Sequence, residues 1–303
     1  MLKSGMVRRL LATGVTGFVG TPCLRALLNG DFDEVHAVSR RGNGPVAPAL
    51  RWHAADLRDE AAAVDLVQAL RPTHLFHAAW IATPENYLTS PDNRAWMTST
   101  VAMVRAFAEQ GGQRFLGIGT AAEYAASAGP CVEDRTPVSP VSLYGETKAL
   151  TWQSIETIAA SCSMEALWAR VFTPYGMGDL PQRLIPLAIA KLRAGEPVPL
   201  AVGDPQRDFV YTLDAARMLT GLFRGSATGV FNIGSGIPRT ARSVVEAVAD
   251  RLHMRARLRF IDLGLRSWEP GFLVADMRKV SGLGLLARTA LPDALEDVIQ
   301  AMP

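Results

Sequence analysis

The sequence predicts an α/β protein built on a doubly wound parallel sheet, a Rossmann arrangement, with a smaller C-terminal α/β lobe. Three observations carry that expectation. Short apolar runs alternate with longer stretches of helical period along most of the 303 residues. A glycine-spaced turn, TGVTGFVG, stands between the first apolar run and the first helical stretch. Pro and Gly become frequent after about Arg170, in TPYGMGDLPQ, AGEPVP and GIPRT. Unbroken apolar runs read as strands covered on both faces, and the helical stretches supply the crossovers that parallel strands need.

Taken in order, the first strand is RRLLAT, 8–13, and runs through the glycine turn into a helix over 17–28. EVHAVS, 34–39, and LRWHAAD, 50–56, follow as strands, then a helix over 60–70. HLFHAA, 74–79, and RFLGIG, 114–119, flank a helix over 94–109. A helix over 144–160 leads to the strand EALWARV, 165–171. Further on, helices are predicted over 181–194, 214–223 and 241–252, and GVFNIG, 229–234, reads as a seventh strand. The expected division is a dinucleotide-binding domain over 1–170 and a substrate lobe over 171–303, with the segment near 228–245 returning to the large sheet.

Composition narrows the function classes. Hydrophobic residues make up 49% and charged residues 20%, enough apolar surface for a large core. The 31 basic residues nearly cancel 29 acidic ones and are scattered, so no field favours nucleic acid or a membrane surface. No apolar run approaches the ~18 residues of a spanning helix. Cys23, Cys131 and Cys162 are odd in number, widely spaced and outside zinc or redox motifs, which points to reducing cytoplasm and to no metal.

The glycine turn has a physical reading. Gly14 permits a tight turn, Gly17 lets backbone amides approach a pyrophosphate, and Gly20 lets the helix pack close. The helix start adds unpaired N–H groups and a positive dipole end. After the second strand, Ser39, Arg40 and Arg41 stand where an NAD-type site carries an acid. An arginine fork suits a 2′-phosphate, which favours NADP(H); the other reading makes both arginines solvated loop charges. Asp56 and Leu57, after the third strand, are either adenine neighbours or, for Asp56, the cap of the next helix.

In SLYGETKAL, Tyr144 and Lys148 lie one helical turn apart on one face. A neighbouring ammonium favours the ionised form of a phenol, which makes tyrosine usable as an acid or base. Thr120, at the end of the fifth strand, offers a hydroxyl to a substrate oxygen beside that tyrosine. Alone, each is also an ordinary surface or turn residue.

These motifs together resemble the extended short-chain dehydrogenase/reductase family, the nucleotide-sugar epimerases, dehydratases and reductases. The resemblance spans nearly the whole chain: TGVTGFVG, HAAW, GTAAEY, YGETK, RVFTPYG, GDPQRDFVYTLDAA, FNIGSG and ADMRKVSGLG occur in that order. It implies proton transfer at a sugar oxygen by Tyr144, orientation of that oxygen by Thr120, and Lys148 on the nicotinamide ribose, lowering the phenol's pKa. It also implies that Thr16, Phe18 and Val19 join the three glycines around the cofactor, with Ala78, Ala79 and Pro174 beside it. Arg207 is implied at the substrate diphosphate, and Arg183 and Trp80 are candidate substrate contacts. The partners implied are a nucleotide sugar and a second copy of the chain, paired through the helices beginning near Arg94 and Tyr144.

Departures sharpen the expectation. Dehydratases of this family carry an Asp-Glu pair directly after the Thr, whereas Ala121 and Ala122 stand here, and methyl groups transfer no protons. Glu123 lies one position on, where a continuing strand would turn its side chain to the opposite face. Trp96 replaces an Asn that braces the active site in many relatives. The wording is closest to 4-keto-6-deoxy nucleotide-sugar reductases, so reduction of that ketone by NADPH is the expected reaction. A 4-epimerase with bound NAD is the alternative; a redox sensor typically lacks the Tyr-Lys pair that this chain keeps.

Overall fold

The computed structural model describes residues 7–81, 86–200, 205–262 and 270–302. Seven strands form one parallel sheet: β1 (Arg9–Thr13), β2 (Glu34–Ser39), β3 (Leu50–Ala54), β4 (His74–His77), β5 (Arg114–Thr120), β6 (Glu165–Val171) and, later in the chain, β10 (Gly229–Ile233). The intervening short strands are β7 (Thr173–Tyr175), β8 (Val198–Leu200) and β9 (Gln206–Tyr211). The sheet order is β10-β6-β5-β4-β1-β2-β3, with every pair parallel. Chain direction across the sheet therefore reverses between β1 and β4, the crevice where doubly wound sheets bind ligands. The doubly wound α/β class predicted from sequence is the one observed.

The central strands form because they can be covered on both faces. All four residues of β4 are buried, as are six of seven in β6. One face carries α1 (Gly20–Leu27) and α6 (Thr212–Arg224), whose Leu24, Leu27, Leu219 and Phe223 pack with Leu10 and Phe76. The other carries α2 (Glu60–Leu70), α3 (Asp92–Glu109) and α4 (Leu143–Ala160), where Val67, Phe107 and Ile155 meet Leu75, Phe115 and Trp168. At about 25 cal/mol per Å² of apolar area, two such faces supply most of the drive for this half to fold.

Beyond β6 the elements shorten. The helices α5 (Leu184–Ala194), α7 (Ala241–Arg251) and α9 (Leu291–Gln300) enclose a third apolar cluster around Tyr175, Ile189, Val244 and Leu295. The short strands pair separately: β11 (Pro238–Thr240), β9 and β13 (Phe272–Leu273) form a sheet that β7 joins through β9, while β12 (Phe260–Asp262) pairs with β8. One turn of helix, α8 (Arg278–Ser281), precedes α9.

Helix starts differ from the sequence reading by up to three residues. The helix predicted from 17 begins at Gly20, because 17–19 remain in the glycine turn, where Gly17 N–H donates to Gly14 O. The cap of α2 is Asp59, which accepts from Ala61 N–H and Ala62 N–H, and not Asp56. The sequence reading places no helix after residue 252, yet Leu291, Ala294, Leu295 and Val298 line one buried face of α9. That spacing is the helical one.

Candidate active site

The crevice starts at the glycine turn. Gly14 has φ +68°, and a Cβ there would fall 2.3 Å from the carbonyl carbon of Ala78. Backbone meets backbone at this point because the β1–β4 ladder continues one step beyond β4, with Ala78 N–H donating to Thr13 O. At Gly20 a Cβ would lie 2.2 Å from Gly14 O, so the helix start is pressed onto the turn. No side chain caps α1 at Val19, and Thr16 and Gly17 lie toward solvent beside its start, where Thr21 N–H donates to Gly17 O and Pro22 has no N–H. A positive helix end that no side chain caps, reached through a glycine turn, fits the pyrophosphate of a dinucleotide. Val19 is half-buried and packs on the core beneath.

On the adenosine side, Ser39 is already engaged: its hydroxyl donates to Asn43 O at 2.8 Å and accepts from Asn43 N–H at 3.0 Å. That leaves Arg40 and Arg41, both exposed, as the cations of this turn. Asp56 pairs with Arg58, whose hydrogen bonds pull its carboxyl pKa down to about 2, with a smaller contribution from the charge of Arg40. Arg58 continues to Asp92 at 3.1 Å. Leu57 is buried in the sheet's second apolar face.

The catalytic candidates converge where β5 meets α4. Thr120 ends β5, and its hydroxyl accepts Ala122 N–H at 3.2 Å while Glu123 accepts Thr120 N–H at 2.8 Å. This reciprocal pair closes a 3-10 turn over Ala121–Glu123. The strand therefore ends at Thr120, and Glu123 does not sit on the strand face expected from its position. It is fully buried and accepts from Trp168 Nε1 at 2.9 Å and Arg170 Nε at 2.7 Å. The T-x-x-E spacing that builds this turn is visible in the sequence, and it is the signal that could have placed Glu123. Ala121 is buried and Ala122 half-buried in the turn, with methyl groups where an acid pair would stand.

Ser142 caps α4 by accepting Gly145 N–H, and Tyr144 N–H donates to Leu88 O at 3.1 Å. The start of α4 is thereby tied to the loop that carries Tyr87, whose ring meets Tyr144 edge-on at 5.1 Å. The Tyr144 hydroxyl shares a hydrogen bond with Thr120. Tyr144 is half-buried, and desolvation of its phenol nonetheless raises its pKa above the ordinary tyrosine value, reinforced by Tyr87, while the Thr120 hydrogen bond and the charge of Arg183 act the other way.

Lys148 is buried, and its Nζ donates to Ile118 O at 2.7 Å. Burial pushes its pKa down to about 7, opposed by Glu123. Lys148 is expected to lower the phenol's pKa, and in this arrangement desolvation is the larger influence on both groups. Desolvation dominates both groups and drives each toward its neutral form, and the ammonium is turned to a backbone carbonyl. Behind it, His77 bridges Thr13 Oγ1 at 2.8 Å and Thr100 Oγ1 at 3.0 Å, held neutral by burial with its pKa down to about 3.

The remaining candidates come from neighbouring elements. Arg183 precedes α5, with Nε 3.7 Å from Asp179 Oδ1, and its charge reaches Tyr144. Asp179, not singled out in the sequence, is pushed up to about 6 by burial. Arg207 lies on β9 in register with Arg239 and Leu273, and its Nη1 donates to Gln206 O at 2.9 Å. Pro174 is half-buried on β7, which pairs with β9. Trp80 lies over Lys148 and stacks on Trp96. Asn232 on β10 accepts from the Tyr124 hydroxyl and donates to Cys131 O. Among the described residues no cluster of three or more His, Cys, Asp or Glu side chains suits a metal ion, and no helix is long and apolar enough to cross a membrane.

The family model for the NAD dependent epimerase/dehydratase family matches residues 10–234, from the first strand through the β10 turn. The chain belongs to that family. A dTDP-4-dehydro-6-deoxyglucose reductase of Escherichia coli is 26% identical over 184 residues, 59% of this chain and 58% of that protein. The chain thus spans less than two thirds of that relative's length. A dTDP-glucose 4,6-dehydratase of Xanthomonas campestris pv. campestris (strain B100) is 25% identical over 78% of this chain and 74% of that protein. Among solved structures, MoeE5 in complex with UDP-glucuronic acid and NAD is similar at TM-score 0.85 and 28% identity, over 97% of this chain and 98% of the other. A UDP-glucose 4-epimerase of Thermus thermophilus, in complex with NAD, matches at TM-score 0.85 and 22% identity over 97% of this chain and 98% of the other, a likeness of fold. A nicotinamide dinucleotide is thus the cofactor class for which the family's glycine turn is built, and the uncapped start of α1 fits it.

Proposed function

We propose that the chain is an NADPH-dependent reductase of the 4-keto group of a 4-keto-6-deoxy nucleotide sugar. The observation that carries this reading is a half-buried Tyr144 whose desolvated phenol stays neutral beside the Thr120 hydroxyl. A protonated tyrosine is ready to give a proton to a ketone oxygen, whereas an alcohol-oxidising epimerase begins by removing one. When bound, the nicotinamide supplies the hydride for the carbonyl carbon. Thr120 donates a hydrogen bond to the carbonyl oxygen, and Tyr144 passes its proton to that oxygen. The positive charge of Arg183 favours the phenolate left behind. Ala121 and Ala122 offer no second proton-transfer group, which speaks against dehydration.

The glycine turn, from Gly14 to Gly20, would hold the pyrophosphate. Arg40 and Arg41 are assigned to a 2′-phosphate, since no acid stands at the end of β2. Ala78, Ala79 and Pro174 are assigned to the nicotinamide side, and Arg183, Arg207 and Trp80 to the nucleotide sugar. Residues 171–303, apart from the segment near 228–245, are taken as the substrate lobe. A homodimer through α3 and α4, and a reducing cytoplasmic setting for the free Cys23, Cys131 and Cys162, complete the reading.

Supplying a 4-keto-6-deoxy nucleotide sugar with NADPH tests it. Net loss of NADPH with formation of the 4-hydroxy sugar is the expected result. Interconversion of 4-hydroxy epimers without net cofactor change would replace the reductase with the epimerase.

A further inference from the structure

Lys148 has an environment that the sequence motif alone does not supply. Its ammonium lies 3.8 Å from the centroid of the Trp80 ring and 5.6 Å from that of Trp168. We propose that Trp80 is the positioning residue for Lys148, its indole face holding the ammonium against the Ile118 carbonyl one helical turn from Tyr144. This rests on the reading of Lys148 as part of the catalytic group.

Trp80 is itself fixed from two directions. Its Nε1–H donates to Asn93 Oδ1 at 2.8 Å, and Asn93, fully buried, donates in turn to Tyr87 O at 2.7 Å and Ser90 O at 2.9 Å. The indole also stacks on Trp96, with centroids 6.1 Å apart and planes 26° from parallel. A ring pinned at its edge and on its face presents a constant π surface, and a cation over indole gains most where water is excluded. The same Asn93 holds the loop whose Tyr87 abuts Tyr144, so one buried amide orients the neighbours of both groups.

The other groups acting on the ammonium are few. Ile118 O accepts from it, Glu123 favours its charge from the 3-10 turn, and Glu123 is itself paired with Arg170 of β6. His77 on β4 is neutral at physiological pH, with its pKa down to about 3. Burial acts against all of these. Removing the indole face therefore takes away one of the supports for the cation, and Lys148 should lose its proton at lower pH.

The chain contains only four lysines, Lys3, Lys148, Lys191 and Lys279, so lysine labelled with 13C at Cε gives a spectrum in which Lys148 is assigned by its loss in Lys148→Arg. The wild-type signal should titrate at about 7, far below the ordinary lysine value of 10.5. In Trp80→Leu the midpoint should fall by about one pH unit, and in Trp80→Phe, which keeps a weaker π face, by about half of that. The high-pH limb of the activity profile should move down in parallel, with dinucleotide affinity measured at about pH 6 unchanged. A midpoint unmoved in both variants overturns the proposal and reduces Trp80 to core packing. Should Trp80→Leu fail to fold, the Trp80→Phe titration alone decides, a null shift again overturning it. Because the titration needs no substrate, a failed reductase assay with a shifted Lys148 would overturn the proposed reaction and leave Trp80 in its role.

Discussion

The two ends of the crevice solve opposite problems with opposite materials. At the glycine turn the atoms proposed to meet the cofactor are backbone amides, Thr16 and Gly17 lie toward solvent, and no side chain caps the helix start. At the β5–α4 junction, later in the chain, the working groups are side chains, Lys148 and Glu123 are buried, and burial displaces the proton equilibria of Tyr144 and Lys148 in opposite directions. One end presents geometry that folding makes permanent. The other holds charges that folding makes expensive, balanced by hydrogen bonds, ion pairs and ring faces. Substitutions at the two ends should therefore separate binding from rate.

The largest separation is expected at Tyr144. Tyr144→Phe removes one oxygen, and turnover should fall by about three orders of magnitude. Dinucleotide affinity, read by fluorescence titration, should stay within about twofold. A large loss of affinity there would erase the distinction between the two ends.

Gly14→Ala probes the opposite end. With φ at +68° and a new Cβ 2.3 Å from Ala78 C, either β1 or β4 must shift. Denaturant unfolding should show a loss of about 2–4 kcal/mol, together with much weaker dinucleotide binding. Unchanged stability and affinity would mean that the close approach of β1 and β4 is not needed to shape the site.

Lys148→Met sharpens the electrostatic side. The folded pKa of Lys148 is lowered from 10.5 to about 7, so between these values the unfolded chain holds a proton that the folded chain releases. Stability contributed by this group rises with pH across that window, and the full cost of the buried cation is present once pH falls to about 7 and below. The thermal midpoint of Lys148→Met relative to wild type should therefore be most favourable at about pH 7 and decline toward about pH 9. A constant difference would show that the folded state carries no such cost. The smallest effect belongs to Arg40→Ala, expected to weaken NADPH about tenfold with NADH unchanged. Equal effects on both cofactors would remove the 2′-phosphate assignment.

The same contrast explains how much the sequence disclosed. The seven strands of the large sheet are legible because most are covered on both faces and so carry apolar runs, as ALW in EALWARV and LF in HLFH do. The short strands of residues 171–303 pair over two or three residues, too few for a period to declare itself, and β13 consists of Phe272 and Leu273 alone. The α9 helix is legible in Leu291, Ala294, Leu295 and Val298, but no glycine turn or catalytic motif draws attention to it. The proposed catalytic group, Thr120, Tyr144 and Lys148, is proposed from sequence because its spacing is local in the chain. The turn that holds Glu123 is readable in T-x-x-E, but the partners of Glu123, Asn93 and Asp179 are not, because folding brings them: Arg170 and Trp168 for Glu123, Trp80 for Asn93, burial for Asp179. The balance at Lys148 escapes the sequence for the same reason, since burial cannot be counted from a helical spacing.

The reaction itself can be followed atom by atom. NADPH carrying deuterium at the transferable position of nicotinamide C4, mixed with the protein and a 4-keto-6-deoxy nucleotide sugar, should yield one NADP+ per sugar and a product with deuterium bonded to sugar carbon 4. A product free of deuterium, or a sugar altered while the cofactor stays reduced, would contradict the account.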